Sequence, residues 1–170
     1  MPVELDNAVA LSKALKNYAP DLAKETQKEI AGHLRKVVNQ ARGFVPAQSP
    51  LSGWGNQTGI WEYRAFNAGI MKRGIGYSTT PSKPNKRGFR SLATIFNKSA
   101  AGAIYETAGR KSGITGNFTP KLGGRLAGDK QKMTGRAIFR AFEEDQGKAT
   151  AGVIKAIETS AAKFNARVKK

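Results

Sequence analysis

The stretch SAAGAIYETAGRKSG, residues 99–113, is the part of this sequence that comes nearest to a phosphate-binding loop. Such a loop needs the spacing G-x-x-x-x-G-K-[ST], which folds backbone N–H groups around the phosphates and directs the lysine at them. Here six residues separate Gly102 from Gly109, and Arg110 precedes Lys111. The stretch instead predicts a short helix that ends at Gly109, with the basic residues just past a C-terminus that favours cations over phosphate. We therefore expect no nucleotide or other cofactor site here.

The residue types needed for metal or nucleophilic chemistry are scarce. The chain has no cysteine and a single histidine, His33, which excludes disulfides, thiolate metal sites and histidine clusters. His33 lies in the helical pattern EIAGHLRKVV, and a catalytic role would require an orienting partner as well. No catalytic, cofactor-binding or metal-ligating residue is therefore predicted, and we expect the chain not to be an enzyme.

Positive charge is concentrated in the middle of the chain. The 170 residues carry a formal net charge of +17, and between Tyr63 and Phe142 sixteen Lys or Arg side chains accompany only Glu106 and Asp129. No acidic residue occurs from Tyr63 to Tyr105. Because such a segment would repel itself without compensation, it indicates a polyanionic partner, either nucleic acid or an acidic protein surface. The alternative is a solvated basic face that keeps the protein soluble.

Two segments without a core pattern carry much of this charge. TPSKPNKRGFRS, residues 80–91, predicts a flexible loop or an extended hairpin arm that becomes ordered against a partner. The glycine-rich residues 110–132 predict a second long loop. The candidate contacts to a neighbouring subunit, another partner or DNA are Lys83, Lys86, Arg87, Arg90, Arg110, Lys111, Lys121 and Arg125. The candidate interface anchors are Trp54, Phe89 and Phe118, although Trp54 could equally pin its own loop to the domain.

The N-terminal part predicts helices, and the middle predicts a small sheet. Residues 1–43 predict one helix from Leu5 to Tyr18 and a second from Pro20 to about Arg42, closed by Gly43. Residues 44–98 predict a loop, strands in WEYRAF, GIMKRGIGYST and SLATIFNK, and the basic arm. Residues 99–133 predict the short helix, with Asn97 or Ser99 as its N-cap, and the glycine-rich loop.

The C-terminal part, residues 134–170, predicts two further helices. The first follows Thr134 as N-cap and turns Ile138, Phe139 and Phe142 inward, and Gly147 breaks or bends it. The second carries the apolar stripe Val153, Ile157, Ala161, Phe164 and Val168, which predicts domain core rather than an oligomer seam. The whole is expected to be one α+β domain of N- and C-terminal helices packed on a small, mostly antiparallel sheet, with long basic loops or arms.

The order of these segments resembles a protein family. ARGFVP closing a helix, LSGW, AGAIYETAGRKSG at 101–113 and GRAIFRAFEED at 135–145 are similar to the tail-component and neck proteins at the head-to-tail junction of long-tailed double-stranded DNA phages. The resemblance extends over nearly the whole chain, and the last two motifs are its most specific pieces. The basic segment KPNKRGFR departs from the family pattern.

The resemblance implies a virion structural protein, made in the host cytoplasm, that completes or terminates the tail. Such proteins form homo-oligomeric rings, commonly of six subunits, that contact the connector or stopper on one side and the tail tube or terminator on the other. The double-stranded DNA passes through the ring, so non-specific contact with it is expected to be limited. A ring also requires two different complementary surfaces on each subunit.

Two further expectations complete the sequence-based interpretation. Glu106 precedes Arg110 by four positions, and a solvated pair between them would contribute about 0.3–0.5 kcal/mol. No apolar run is long enough to span a membrane, and the N-terminus lacks signal-peptide order, so we expect a soluble protein. The alternative function is a non-specific nucleic-acid-binding protein that acts outside a virion, although no recognised nucleic-acid-reading motif accompanies the charge.

Overall fold

The computed structural model describes residues 8–50, 53–56, 65–108, 127–129 and 133–169. Within these residues the chain is α+β, as predicted, with six helices and two two-stranded sheets. It divides into two compact units, each built from separated stretches of sequence. Unit 1 comprises Met1–Lys36, Tyr77–Thr94 and Gly147–Lys170, and unit 2 comprises Val37–Gly76 and Ile95–Gln146.

Unit 1 is built around three helices. They are α1 (Ala8–Tyr18), the first part of α2 (Pro20–Gly43) and α6 (Lys148–Val168). Pro20 begins α2 and Gly43 ends it, as predicted, because proline suits a first helical turn and glycine a helix end. The apolar stripe predicted for α2 is buried along its whole length: Leu22, Ile30, Leu34, Val37, Val38 and Ala41. Leu5 lies outside the described residues.

Helix α6 packs on α2 through small side chains rather than through the whole predicted stripe. A Cβ added to Gly152 would overlap the ring of His33, so the two helices approach closely at that point. Nearer the C-terminus of α6, Ser160 and Thr26 are buried and share a hydrogen bond between their hydroxyls. Ile157 is buried as predicted, but Val168 is 70% exposed. The stripe prediction was therefore wrong at Val168.

Two ion pairs connect α6 to α2 on the surface of unit 1. Arg167 makes a bidentate contact with the Asp21 carboxylate, with N–O distances of 2.7 and 3.1 Å, and Lys163 pairs with Glu25. The hydrogen bond from Arg167 lowers the pKa of Asp21 below its ordinary value. These pairs are solvent-exposed, so they fix the alignment of the helices more than they stabilise the fold.

Unit 2 contains the short elements. After a 3₁₀ turn at Trp54–Asn56 come α3 (Ala68–Gly74), β1 (Ile75–Ser78), β2 (Thr94–Asn97), α4 (Ala100–Thr107), β3 (Ala127–Asp129), β4 (Met133–Gly135) and α5 (Ile138–Asp145). Strand β1 pairs with β2, and residues 77–78 and 94 of that pair belong to unit 1. Strands β3 and β4 are antiparallel, with Gly128 opposite Thr134. Ser99 is the N-cap of α4, one of the two residues predicted.

Four local predictions in this region were wrong. GIMKRG is helical rather than extended, because the Asn67 side chain accepts a hydrogen bond from the N–H of Ile70 and caps α3. Residues 127–129 belong to a strand rather than a loop, and Thr134 lies in the strand that pairs with it. Thr134 is therefore not the N-cap of α5. Phe142 points outward and is exposed. Residues 61–64 of the predicted strand WEYRAF lie outside the described residues.

Candidate functional site: a basic hairpin arm

Residues 79–93, which connect β1 to β2, fold back on themselves as a hairpin, here called the basic arm. The backbone N–H of Ser82 donates to the carbonyl of Ser91 at 2.8 Å, and the N–H of Ser91 donates to the hydroxyl of Ser82 at 2.9 Å. Nearer the tip, the N–H of Asn85 donates to the carbonyl of Phe89 at 2.9 Å. The two sides of the arm are therefore hydrogen-bonded to each other without a partner, so the arm has the hairpin form that was one of the two predicted, but it does not need a partner for these bonds.

The tip of the arm is organised by one asparagine. The Asn85 side-chain oxygen accepts hydrogen bonds from the backbone N–H groups of Arg87, at 2.9 Å, and Phe89, at 3.0 Å. Gly88 donates to the Asn85 carbonyl and has a φ of +82°, a conformation that glycine adopts without steric cost. Because these N–H groups are used within the arm, contacts to a partner would come from side chains.

The base of the arm is attached to the helices of unit 1. An Arg35 guanidinium nitrogen on α2 lies 3.4 Å from the Tyr77 hydroxyl, as donor to it. Thr79 and Leu92, one from each side of the arm, line a mainly apolar cleft together with Leu11 and Leu15 of α1. These contacts hold the base of the arm, whereas its tip carries exposed side chains.

The structure brings four of the predicted contact residues together on this arm. Lys83 and Arg90 stand next to the Ser82–Ser91 pair, and Lys86 and Arg87 lie in the tip turn. All four are exposed, and no acidic residue occurs in the arm. Phe89 is 53% exposed. The arrangement is a concentrated positive surface with one exposed aromatic ring, which suits electrostatic contact with an anionic surface.

The other predicted contact residues do not join the arm. Arg110, Lys111, Phe118, Lys121 and Arg125 lie outside the described residues. Trp54 is 7% exposed, with its ring centroid 5.3 Å from that of Phe66, so it pins its own loop and is not available as an interface anchor. Of the two roles considered for Trp54, the structure therefore contradicts the interface role.

Helix α4, which contains part of the stretch 99–113, is connected to α5 by reciprocal capping: a side chain of α4 caps the start of α5, and a side chain just before α5 caps the end of α4. The Glu106 carboxylate is 4% exposed and accepts hydrogen bonds from the backbone N–H groups of Ala137, at 2.7 Å, and Phe139, at 3.1 Å, at the start of α5. In return, Arg136 donates to the carbonyls of Tyr105 and Ala108 at the end of α4. A negative charge at a helix N-terminus and a positive charge at a helix C-terminus both complement the helix dipole.

This exchange corrects the interpretation of Glu106 as a solvated partner of Arg110. The Glu106 carboxylate is buried inside unit 2, and Arg110 lies outside the described residues. Gly135 is needed for the same contact, because a Cβ at that position would overlap the Glu106 carboxylate. The sequence contains no local signal for this arrangement, since the cap of α5 comes from a residue 31 positions away.

Burial shifts the pKa values of the two residues beside Glu106. Loss of solvent contact on burial is the main reason why the pKa of the Tyr105 hydroxyl is raised and the pKa of the Arg136 guanidinium is lowered. The Tyr105 hydroxyl donates to the carbonyl of Phe44 at 3.2 Å. Tyr105, Glu106 and Arg136 all make hydrogen bonds within unit 2, so these three residues stabilise unit 2 rather than offer a reactive group.

Within the described ranges, no three His, Asp or Glu side chains come together as a metal site would require. Nor does any helix in the part of the chain that the structure describes have the length and apolar character needed to cross a bilayer. Comparison of the sequence and the structure with protein-family models, with curated proteins and with solved structures gives no match.

Proposed function

We propose that this chain is a virion structural protein of the head-to-tail interface of a tailed double-stranded DNA phage. In this role it completes or terminates the tail as one subunit of a homo-oligomeric ring, six-fold in the proteins it resembles, around the DNA channel. Its neighbours are the connector or stopper on the head side and the tail tube or terminator on the other side. Its activity is assembly and docking rather than catalysis.

The observation that carries this proposal is the basic arm. It is exposed, held in shape by its own hydrogen bonds and built without an acidic residue. A segment of this kind contributes little to the core of its own unit but can contact a neighbouring molecule, which is how arms serve in assemblies. The motifs AGAIYETAGRKSG and GRAIFRAFEED add the resemblance to neck proteins.

Unit 1 exposes apolar side chains at the ends of two helices, and these could contact a neighbouring subunit. Tyr18 at the end of α1 is 79% exposed, and Val168 at the end of α6 is 70% exposed. Helices α1 and α6 pack against each other. A closed ring needs two complementary surfaces on each subunit, and we assign these apolar helix ends to one of them.

The test is the mass of the purified full chain in solution, by light scattering at low and at high salt, with and without duplex DNA. We expect a discrete ring that persists at high salt, because apolar contacts are not screened as charge contacts are. A chain that stays monomeric at both salts, and gains mass only with DNA that it releases as salt rises, would refute the ring. That result would instead support the nucleic-acid-binding function outside a virion.

A further inference from the structure

The composition of the basic arm distinguishes between the two kinds of anionic partner. Protein–protein interfaces have a core of desolvated aromatic and aliphatic side chains, from which charged residues are depleted. The tip half of the arm, residues 82–91, offers one such side chain, Phe89, among Lys83, Lys86, Arg87 and Arg90. A surface of this composition matches the rim of a protein interface but not its core.

Binding to a nucleic-acid backbone requires exposed positive side chains, and the arm has four of them. Lysine and arginine side chains that neutralise phosphates gain affinity by releasing counterions, with no need for an apolar core. The backbone hydrogen bonds from Ser82 to Ser91 and from Asn85 to Phe89 hold the two sides of the arm together, so its basic side chains are presented by a loop of defined shape.

Two features argue for the duplex backbone rather than for bases or single strands. Asn85, whose amide could read an adenine edge, already uses its side-chain oxygen on two backbone N–H groups of the arm. Single-strand binding relies on several aromatic side chains on which successive bases stack, and the tip has only Phe89. The arm therefore lacks both a free amide for an adenine edge and a stacking platform for single strands.

We propose that the basic arm binds the phosphate backbone of duplex DNA, without sequence preference, through Lys83, Lys86, Arg87 and Arg90. This inference rests on the proposed function only in that the DNA is the duplex passing through the ring. Each arm then supplies four candidate phosphate contacts. The remaining positive charge of the chain is then left for protein partners.

The experiment measures binding of the full chain to a fluorescent duplex of mixed sequence while salt is raised from about 50 to 200 mM. We expect the logarithm of the association constant to fall linearly with the logarithm of the salt concentration. Each phosphate contact contributes a slope of about 0.9. The variant K83Q/K86Q/R87Q/R90Q should therefore lose about 3.6 from the magnitude of the slope, and the tip variant K86Q/R87Q about 1.8.

The matched control removes charge outside the arm. Lys148 and Lys155 are exposed on α6, and K148Q/K155Q removes the same charge as the tip variant. We expect the control to change the slope by less than about 0.5, since only residues in contact contribute. Equal slopes in the wild type and the four-fold arm variant, or no duplex binding by the wild type at about 50 mM salt, would overturn the proposal.

Further probes test the choice of duplex DNA. We expect polyglutamate to compete weakly with the duplex, and F89A to bind single-stranded DNA as the wild type does. If polyglutamate displaces the duplex at equal charge concentration, the partner is an acidic protein surface. If single strands bind more tightly than the duplex and F89A loses that preference, the arm is a stacking element. Either result contradicts the proposal.

The same variants keep this proposal separate from the proposed function. Light scattering without DNA reports whether the four-fold arm variant still forms the ring. A wild type that forms the ring but binds no duplex would refute the DNA contact and leave the ring proposal standing. A wild type that binds duplex through the arm but never forms a ring would refute the ring alone.

Discussion

At the scale of single residues, the clearest feature is a buried carboxylate that works as a helix cap at a distance. Glu106 accepts two backbone hydrogen bonds at the start of α5, and Arg136 donates hydrogen bonds to two backbone carbonyls at the end of α4. Such an exchange couples the two helices more strongly than side-chain packing alone, because both cap groups are buried and charged hydrogen bonds exceed neutral ones.

The first prediction concerns this carboxylate. In Glu106→Gln the amide nitrogen must face one of the two N–H groups that the carboxylate now accepts, so a buried donor is left without an acceptor. We expect the free energy of unfolding to fall by about 1–3 kcal/mol, measured by urea denaturation.

The control for this prediction is Glu29→Gln, which makes the same chemical change at an exposed position of α2. It should alter the free energy of unfolding by no more than about 0.5 kcal/mol. Equal losses in the two variants would show that Glu106 does not act as the cap, and that its charge matters only through the overall field of the protein.

At the scale of elements, the sequence predicts those features whose signals are local. The ends of α2 follow from Pro20 and Gly43, and the cap of α4 follows from Ser99, since each signal lies within a few residues of the element. The buried face of α2 follows from the spacing of its apolar residues.

Features that depend on distant residues were missed. The cap of α5 comes from Glu106, and strand β3 exists through its pairing with β4. The contact between α2 and α6 depends on Gly152 lying against His33, which an apolar periodicity does not reveal. At the candidate site, the charges of the arm could be read directly, but its hydrogen-bonded form could not, because it depends on pairings across the turn at Asn85.

The second prediction addresses the order of the arm tip. In Asn85→Ala the N–H groups of Arg87 and Phe89 lose their acceptor. We expect amide hydrogen exchange at these two residues to accelerate about five-fold, since each lost hydrogen bond is worth about 1 kcal/mol. The thermal midpoint should stay unchanged, because the tip contributes no buried side chain to the core. Exchange is measured residue by residue with NMR.

The control for the arm is Asn39→Ala, at an exposed position in α2. This variant should leave the exchange of Arg87 and Phe89 as it is in the wild type. If Asn85→Ala also leaves their exchange unchanged, the arm is held by its backbone pairs alone, and the side-chain contacts at the tip are dispensable.

At the scale of the whole molecule, the proposed assembly gives positive charge and exposed apolar surface separate roles. The basic arm supplies charge with Phe89 as its one large exposed apolar side chain, and the ends of α1 and α6 supply Tyr18 and Val168. A net charge of +17 opposes association of identical subunits. A ring of such subunits must therefore gain its stability from apolar and backbone contacts, and its formation should be favoured by salt that screens the repulsion.

The last prediction follows from this division. Tyr18→Ser/Val168→Ser removes apolar surface without changing charge, so we expect the ring to dissociate on dilution at concentrations where the wild type remains assembled. Light scattering at high salt measures this directly, since charge repulsion is then screened. Asn17→Ala/Asn165→Ala is the control, because both asparagines are exposed on the same two helices. If the serine variant and the control dissociate at the same concentration as the wild type, the helix ends lie outside the ring interface, and another surface must close the ring.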